Sequence, residues 1–185
     1  MESPQPGSLL IATVDISDGI FDRSIVLLLD ADESGALGVI LNKVSDVDLE
    51  EVLPRWQNLC SRPQVLFDGG PVSRNGAVCL ASPAEQSDEP PGWRALFGDV
   101  GLLHLDTPIE LVDGAFKDLR IFAGYAGWEP GQLEAELLRG SWYVAAAHHS
   151  DAFDPDPETL WRRVLHRQLG DVAVYATWPD DPEQN

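Results

Sequence analysis

The first half of the chain reads as short apolar runs of strand length separated by polar turns. Residues 8–14 (Ser-Leu-Leu-Ile-Ala-Thr-Val) are apolar on consecutive positions, which predicts a strand buried on both faces. Residues 15–19 carry turn residues, and 24–29 and 37–41 form a second and a third run. The acidic segment 30–35 between those two runs predicts a hairpin with antiparallel strands. Further strand patterns fall at 65–67, 77–81, 102–105, 119–123, 142–147 and 172–177. Residues 82–92, rich in Pro, Ser and acid, read as a surface loop.

Helical patterns are fewer. At 46–53, Asp46 or Asp48 is placed to cap an apolar stripe of Leu49, Val52 and Leu53, and Pro54 ends it. A second helix is expected over 131–139, with Leu133, Leu137 and Leu138 as its stripe and Gly140 at its C-terminal cap. A third begins at Asp156-Pro157-Glu158 and carries Leu160, Trp161, Val164 and Leu165 on one face. About eight strands clustered as hairpins with three helices predict an α+β fold with a mostly antiparallel or mixed sheet, not a doubly wound parallel one. The 185 residues are expected to form one domain, with residues 1–6 and 179–185 as flexible ends.

Charge changes the picture more than length does. Twelve Lys and Arg face 31 Asp and Glu, a net charge of −19. A field of that sign repels nucleic-acid phosphates and anionic membranes, so direct nucleic-acid binding and membrane association are not expected. No apolar run approaches the roughly 20 residues of a membrane span. The N-terminal residues lack the basic and apolar parts of a secretory signal, which points to the cytoplasm. In that setting Cys60 and Cys79 are expected to be reduced core thiols.

Four clusters carry candidate chemistry. Gly69-Gly70-Pro71 follows a strand and suits a tight turn, with an anion cradle as the functional alternative. Residues 124–134 run from a strand into a helix start through Gly124, Tyr125, Gly127, Trp128 and Gln132, either as a binding surface or as a packed corner. His148 and His149 are expected to be exposed loop residues without a third metal ligand. Arg162, Arg163, His166 and Arg167 form a basic helix face, expected to be solvated and paired with nearby acids. No nucleotide-binding glycine motif, nucleophile elbow or metalloprotease motif occurs. No cofactor or metal is therefore expected.

Taken in order, the motifs resemble those of the YqgE/AlgH family of bacterial proteins. They are Gly7-Ser8-Leu9-Leu10-Ile11-Ala12, Phe21-Asp22-Arg23-Ser24, Gly35-Ala36-Leu37-Gly38-Val39-Ile40-Leu41-Asn42-Lys43, Gly69-Gly70-Pro71-Val72, Gly124-Tyr125-Ala126-Gly127-Trp128, and Gly131-Gln132-Leu133-Glu134-Ala135-Glu136 leading to Trp142. The resemblance implies a bent, barrel-like sheet. It also brings a label often attached to that family, transcriptional regulator, and no agreed catalytic residues. The chain departs from the family pattern at Val14, where Pro is usual, over residues 29–32, where a Glu-His pair is common, and at Ala81, where His often stands.

Together these readings predict a cytosolic protein that regulates through protein or small-molecule contacts. The candidate ligand-binding residues are Arg23, Asn42, Gly69, Gly70, Tyr125, Trp128 and Gln132 on one shared surface. An enzyme acting on an anionic small molecule held by Arg23, with Asp22 or Glu136 as base, is the second reading. Direct DNA binding is the third, and no helix-turn-helix pattern supports it.

Overall fold

The computed structural model describes residues 3–17 and 19–168. The strand expected over 172–177 and the tail from 179 lie outside those residues. Among the described residues nine strands build the sheet: β1 (Ser8–Ala12), β2 (Ile25–Asp32), β3 (Gly35–Ile40), β4 (Phe67–Asp68), β5 (Val72–Pro83), β6 (Trp93–Phe97), β7 (Val100–Leu103), β8 (Phe116–Trp128) and β9 (Trp142–Ala146). Eight of them follow the order β6-β7-β5-β8-β3-β2-β1-β9, every pair antiparallel. β4 pairs with β8 in parallel, off that path. The result is an α+β fold on a curled half-barrel sheet.

All five residues of β1 are buried, because β1 is sandwiched between two layers. Successive side chains of a strand point to opposite faces. Leu9 and Ile11 of β1, with Ile25 and Leu27 of β2, enter one core. Leu10, Ala12, Val26 and Leu28 enter a second one. The hairpin of β2 and β3 forms as predicted, but its turn is shorter. β2 runs on to Asp32, paired with Gly35, and only Glu33 and Ser34 lie between. Asp30 and Asp32 alternate outward beyond the core, so their polarity marked a half-exposed strand rather than a loop.

Five short helices are present among the described residues: α1 (Leu49–Val52), α2 (Ile109–Val112), α3 (Gln132–Leu138), α4 (His149–Ala152) and α5 (Leu160–His166). α1, α3 and α5 are the three expected ones. Asp48 caps α1, its side chain accepting from the Glu50 amide at 3.0 Å. The predicted face of α5 (Leu160, Trp161, Val164, Leu165) is buried against the first core. α2 and α4 are single turns of four residues, too short to leave a periodic signal.

β8 joins the two halves of the sheet, and it bends at Gly124, whose φ is +71°. Before the bend, Phe122 faces the first core; after it, Ala126 and Trp128 face the second.

Cys60 and Cys79 are both free and buried in a third core with Leu119 and Ile121. Burial raises the Cys60 thiol to about 12 and the Cys79 thiol well above its ordinary value. The native protein is therefore expected to resist a thiol reagent near pH 8, and the denatured protein to titrate as two thiols without added reductant. Rapid modification of the folded protein would contradict the buried placement.

Candidate functional site

The turn that precedes β2 builds a recess on the first core. Ser24 donates from both its amide (3.1 Å) and its hydroxyl (2.8 Å) to the Phe21 carbonyl, which closes the turn tightly. Arg23 takes a left-handed φ of +54° within it. Asn42 then stitches this turn to the end of β3. Its Oδ1 accepts from the Ile25 amide and its Nδ2 donates to the Arg23 carbonyl, both at 2.9 Å. The next residue, Lys43, donates from Nζ to the Ile20 carbonyl. α5 supplies the floor: Trp161 is buried and donates its indole N–H to the Ala12 carbonyl at 2.8 Å.

Two guanidinium groups stand over that indole, Arg23 at 5.2 Å and Arg162 at 5.8 Å from the ring centroid. Such stacking directs cations onto a ring face. Asp22, Arg23, Asn42, Lys43, Glu158, Trp161 and Arg162 line a recess of about 240 Å³. Burial pushes the Lys43 amine below its ordinary value, against the opposing pull of Asp22 and Asp68.

The other expected site residues are placed elsewhere. Gly69 and Gly70 form a buried crossing over β8. The Gly69 amide donates to Ala123 at 2.8 Å, and its carbonyl accepts from Ile40 at 2.9 Å. A Cβ on Gly70 would overlap the Tyr125 carbonyl, and one on Gly69 would overlap that of Gly124. The glycines are small because two backbones touch there. With the Gly69 amide donated to Ala123 and the Gly70 amide donated to Asp68 Oδ1 at 3.2 Å, the crossing has the character of a packing corner.

Tyr125 and Trp128 sit three residues apart on an unbroken stretch of β8 and so point to opposite faces. Trp128 packs with Phe21 and Trp142 in the second core, the ring centroids 5.8–6.4 Å apart. Glu136 Oε1 accepts from both indoles, Trp128 at 3.2 Å and Trp142 at 2.9 Å, and its Oε2 accepts from Gln132 at 2.9 Å. Gln132 in turn accepts from the Glu129 amide. These groups lock the strand-to-helix corner, and Glu136 does not line the recess that holds Asp22. Of the seven expected residues, Arg23 and Asn42 line one recess, and Gly69, Gly70, Tyr125, Trp128 and Gln132 do not line it. Lys43 and Trp161 complete that recess and were not among the expected site residues. The rarity of lysine was the available signal, since Lys43 and Lys117 are the only two in the chain.

The basic face of α5 is largely committed. Arg163 pairs with Asp154 and Arg167 with Asp151, each at 2.6 Å, and both carboxylates are buried. His149 corrects the expectation of two loose histidines. It opens α4, with Nδ1 2.8 Å from Asp99 and Nε2 2.8 Å from Asp118. Ser82 and Lys117 also donate to Asp99, and Ser61 to Asp118. No local pattern announces this tie, because its members come from five separate segments. Among the described residues no group of three or more His, Cys, Asp or Glu is arranged to hold a metal.

The Lys117 hydrogen bond holds the Asp99 carboxyl well below the ordinary carboxylate range. Burial opposes this, and His149 and Ser82 add to it. A depressed acid contributes stability that is present above its unfolded value, near 3.8, and lost as pH falls towards the folded one. Asp99→Asn should lower stability at pH 7 by about 1–3 kcal/mol. Below pH 4 wild type should lose stability and the gap to the variant should narrow. Urea unfolding at pH 7 and at about pH 3 measures both; a gap that widens in acid contradicts the assignment.

Relatives share this architecture. Residues 9–173 match the family model described as AlgH-like. UPF0301 proteins of Streptomyces avermitilis and Streptomyces coelicolor are 50% and 51% identical, each comparison covering 97% of this chain and 94% of the relative. The crystal structure of a Corynebacterium diphtheriae protein superposes with a TM-score of 0.89 at 31% identity, covering 95% of this chain and 93% of the other. The solution structure of the AlgH protein from Pseudomonas aeruginosa gives 0.69 at 25% identity, with 97% and 98% covered. With the family model matched over residues 9–173 and relatives half identical over nearly the whole chain, the chain belongs to the AlgH-like family.

Proposed function

We propose that this is a cytoplasmic regulatory protein that acts by binding a small anionic ligand in the Arg23–Asn42 recess, not by contacting DNA. One observation carries the reading. In a chain of net charge −19, Arg23, Lys43 and Arg162 converge on a single recess, two of them over one buried indole. The recess volume, about 240 Å³, is below the range of roughly 300–1,000 Å³ usual for drug-sized ligands, so the ligand is small. Against DNA stands the fate of the α5 arginines: Arg163 and Arg167 already neutralise buried carboxylates. Counterion release scales with the number of cations delivered to phosphates.

The test compares wild type with Arg23→Gln by thermal shift against phosphate, carboxylate and neutral small molecules. The same proteins are titrated with duplex DNA at about 0.15 M salt. Stabilisation by anions that is reduced at least about tenfold in affinity by the variant, the loss of one charged contact of about 1.4 kcal/mol, supports the reading. No response to any anion together with tight, sequence-selective DNA binding would overturn it.

A further inference from the structure

We propose that Lys43 is a carbonyl-reactive amine, forming a reversible imine with a small aldehyde or ketone that bears a carboxylate or phosphate. The inference rests on the anion reading of the recess and names its substrate class.

Three observations place the chemistry on this nitrogen. Lys43 lines the same recess as Arg23 and Arg162, which supply positive charge where an anionic tail would sit. Its Nζ is fixed by donation to the Ile20 carbonyl and, among the described residues, makes no ion pair. Lys117, by contrast, is tied to Asp99 at 2.8 Å. Burial also favours the neutral form of Lys43, the form that carries a lone pair. Asp22 and Asp68 favour the charged form, and burial outweighs them. A neutral amine that donates one N–H to Ile20 keeps its lone pair on the side away from that carbonyl.

The step balances without a cofactor. Nζ attacks the carbonyl carbon, and the C=O π pair moves onto oxygen. The nitrogen then loses a proton and the oxygen gains one, giving a carbinolamine. Loss of the hydroxyl as water, with a second proton leaving nitrogen, yields the neutral imine. Of the two carboxylates on the wall of the recess, Asp22 and Glu158, Asp22 is the one whose charge acts on Lys43, and it carries the proton from nitrogen to the departing hydroxyl. One water is released, nothing is oxidised or reduced, and hydrolysis reverses the reaction.

The experiment incubates the full chain with glyoxylate and cyanoborohydride, which reduces an imine to a stable amine. Intact-mass and peptide mapping then locate the label. Acetaldehyde serves as a neutral carbonyl, and oxalate as an anion that cannot form an imine. The expected result is one adduct on Lys43 with glyoxylate, little with acetaldehyde, loss of the adduct in Lys43→Arg, and suppression by excess oxalate. Mapping wild type alone decides the point if the variant does not fold. Label spread evenly over Lys117 and the N-terminus overturns the proposal. So does oxalate binding without any Lys43 adduct, and in that case the anion site itself survives. Absence of both oxalate binding and adduct removes the anion site as well.

Discussion

Gly70→Ala is expected to prevent folding or to cost more than about 4 kcal/mol, whereas Gly131→Ala should cost about 1 kcal/mol. Both glycines have positive φ, +150° and +81°. Their surroundings differ. A Cβ at Gly70 runs into the backbone of Tyr125 and Ala126, which the β5–β8 and β3–β8 pairings hold in place. At Gly131 nothing lies within 4 Å, so only the backbone strain remains. Equilibrium denaturation of the two variants separates strain from collision. Equal losses would mean that the crossing of residues 69–70 over β8 is looser than described.

Arg120→Ala should cost about 3–5 kcal/mol, read from the same denaturation curves. Arg120 is 1% exposed, in the middle of β8. It donates to the carbonyls of Arg62 (2.6 Å), Asp154 (2.9 Å) and Ala152 (3.5 Å), and its guanidinium stands 4.3 Å from the Phe67 ring centroid. Burial lowers it to about 10, offset first by the Asp154 carboxylate, so it stays charged at neutral pH. Removing it strips three carbonyls of their donor and opens a cavity. Arg120→Met refills most of the volume, so it should recover the cavity part and leave a deficit of about 2–3 kcal/mol from the carbonyls. A loss below about 1 kcal/mol for the Ala variant would mean that water replaces the guanidinium readily.

The legible parts of the fold are those where side-chain period and burial agree. β1, β2 and β3 show as apolar runs, and α5 shows its whole buried face. β6 (Trp93-Arg94-Ala95-Leu96-Phe97) was missed, because it is an edge strand with no fully buried position and so has no clean alternation. The site was harder to read than the fold. Arg23 and Asn42 were found through motif, and they do meet, but Asn42 does so by hydrogen-bonding the backbone of residues 23 and 25 at the entry to β2. Tyr125 and Trp128 looked like one surface because they are close in sequence, while strand geometry sends them apart. Trp161 read as core, and it is core; its role as the floor beneath two guanidinium groups depends on a contact with Ala12 at the far end of the chain.

β1 has a consequence for how the molecule is made. It lies between β2, which follows almost at once, and β9, which begins at Trp142. The Thr13 hydroxyl bond to the Gly140 carbonyl spans 127 residues, and the Trp161 bond to Ala12 spans 149. At ribosomal rates of about 5–20 residues per second, the β1–β2 hairpin waits roughly 6–25 s for its second neighbour. During that interval a five-residue apolar strand presents an open edge and an uncovered face, the conditions under which nascent chains associate with one another. The side chains already made by then, Glu2, Asp15, Asp18, Asp22, Asp30, Asp32 and Glu33 against Arg23, give such half-made copies the same negative sign, and like charge opposes their association.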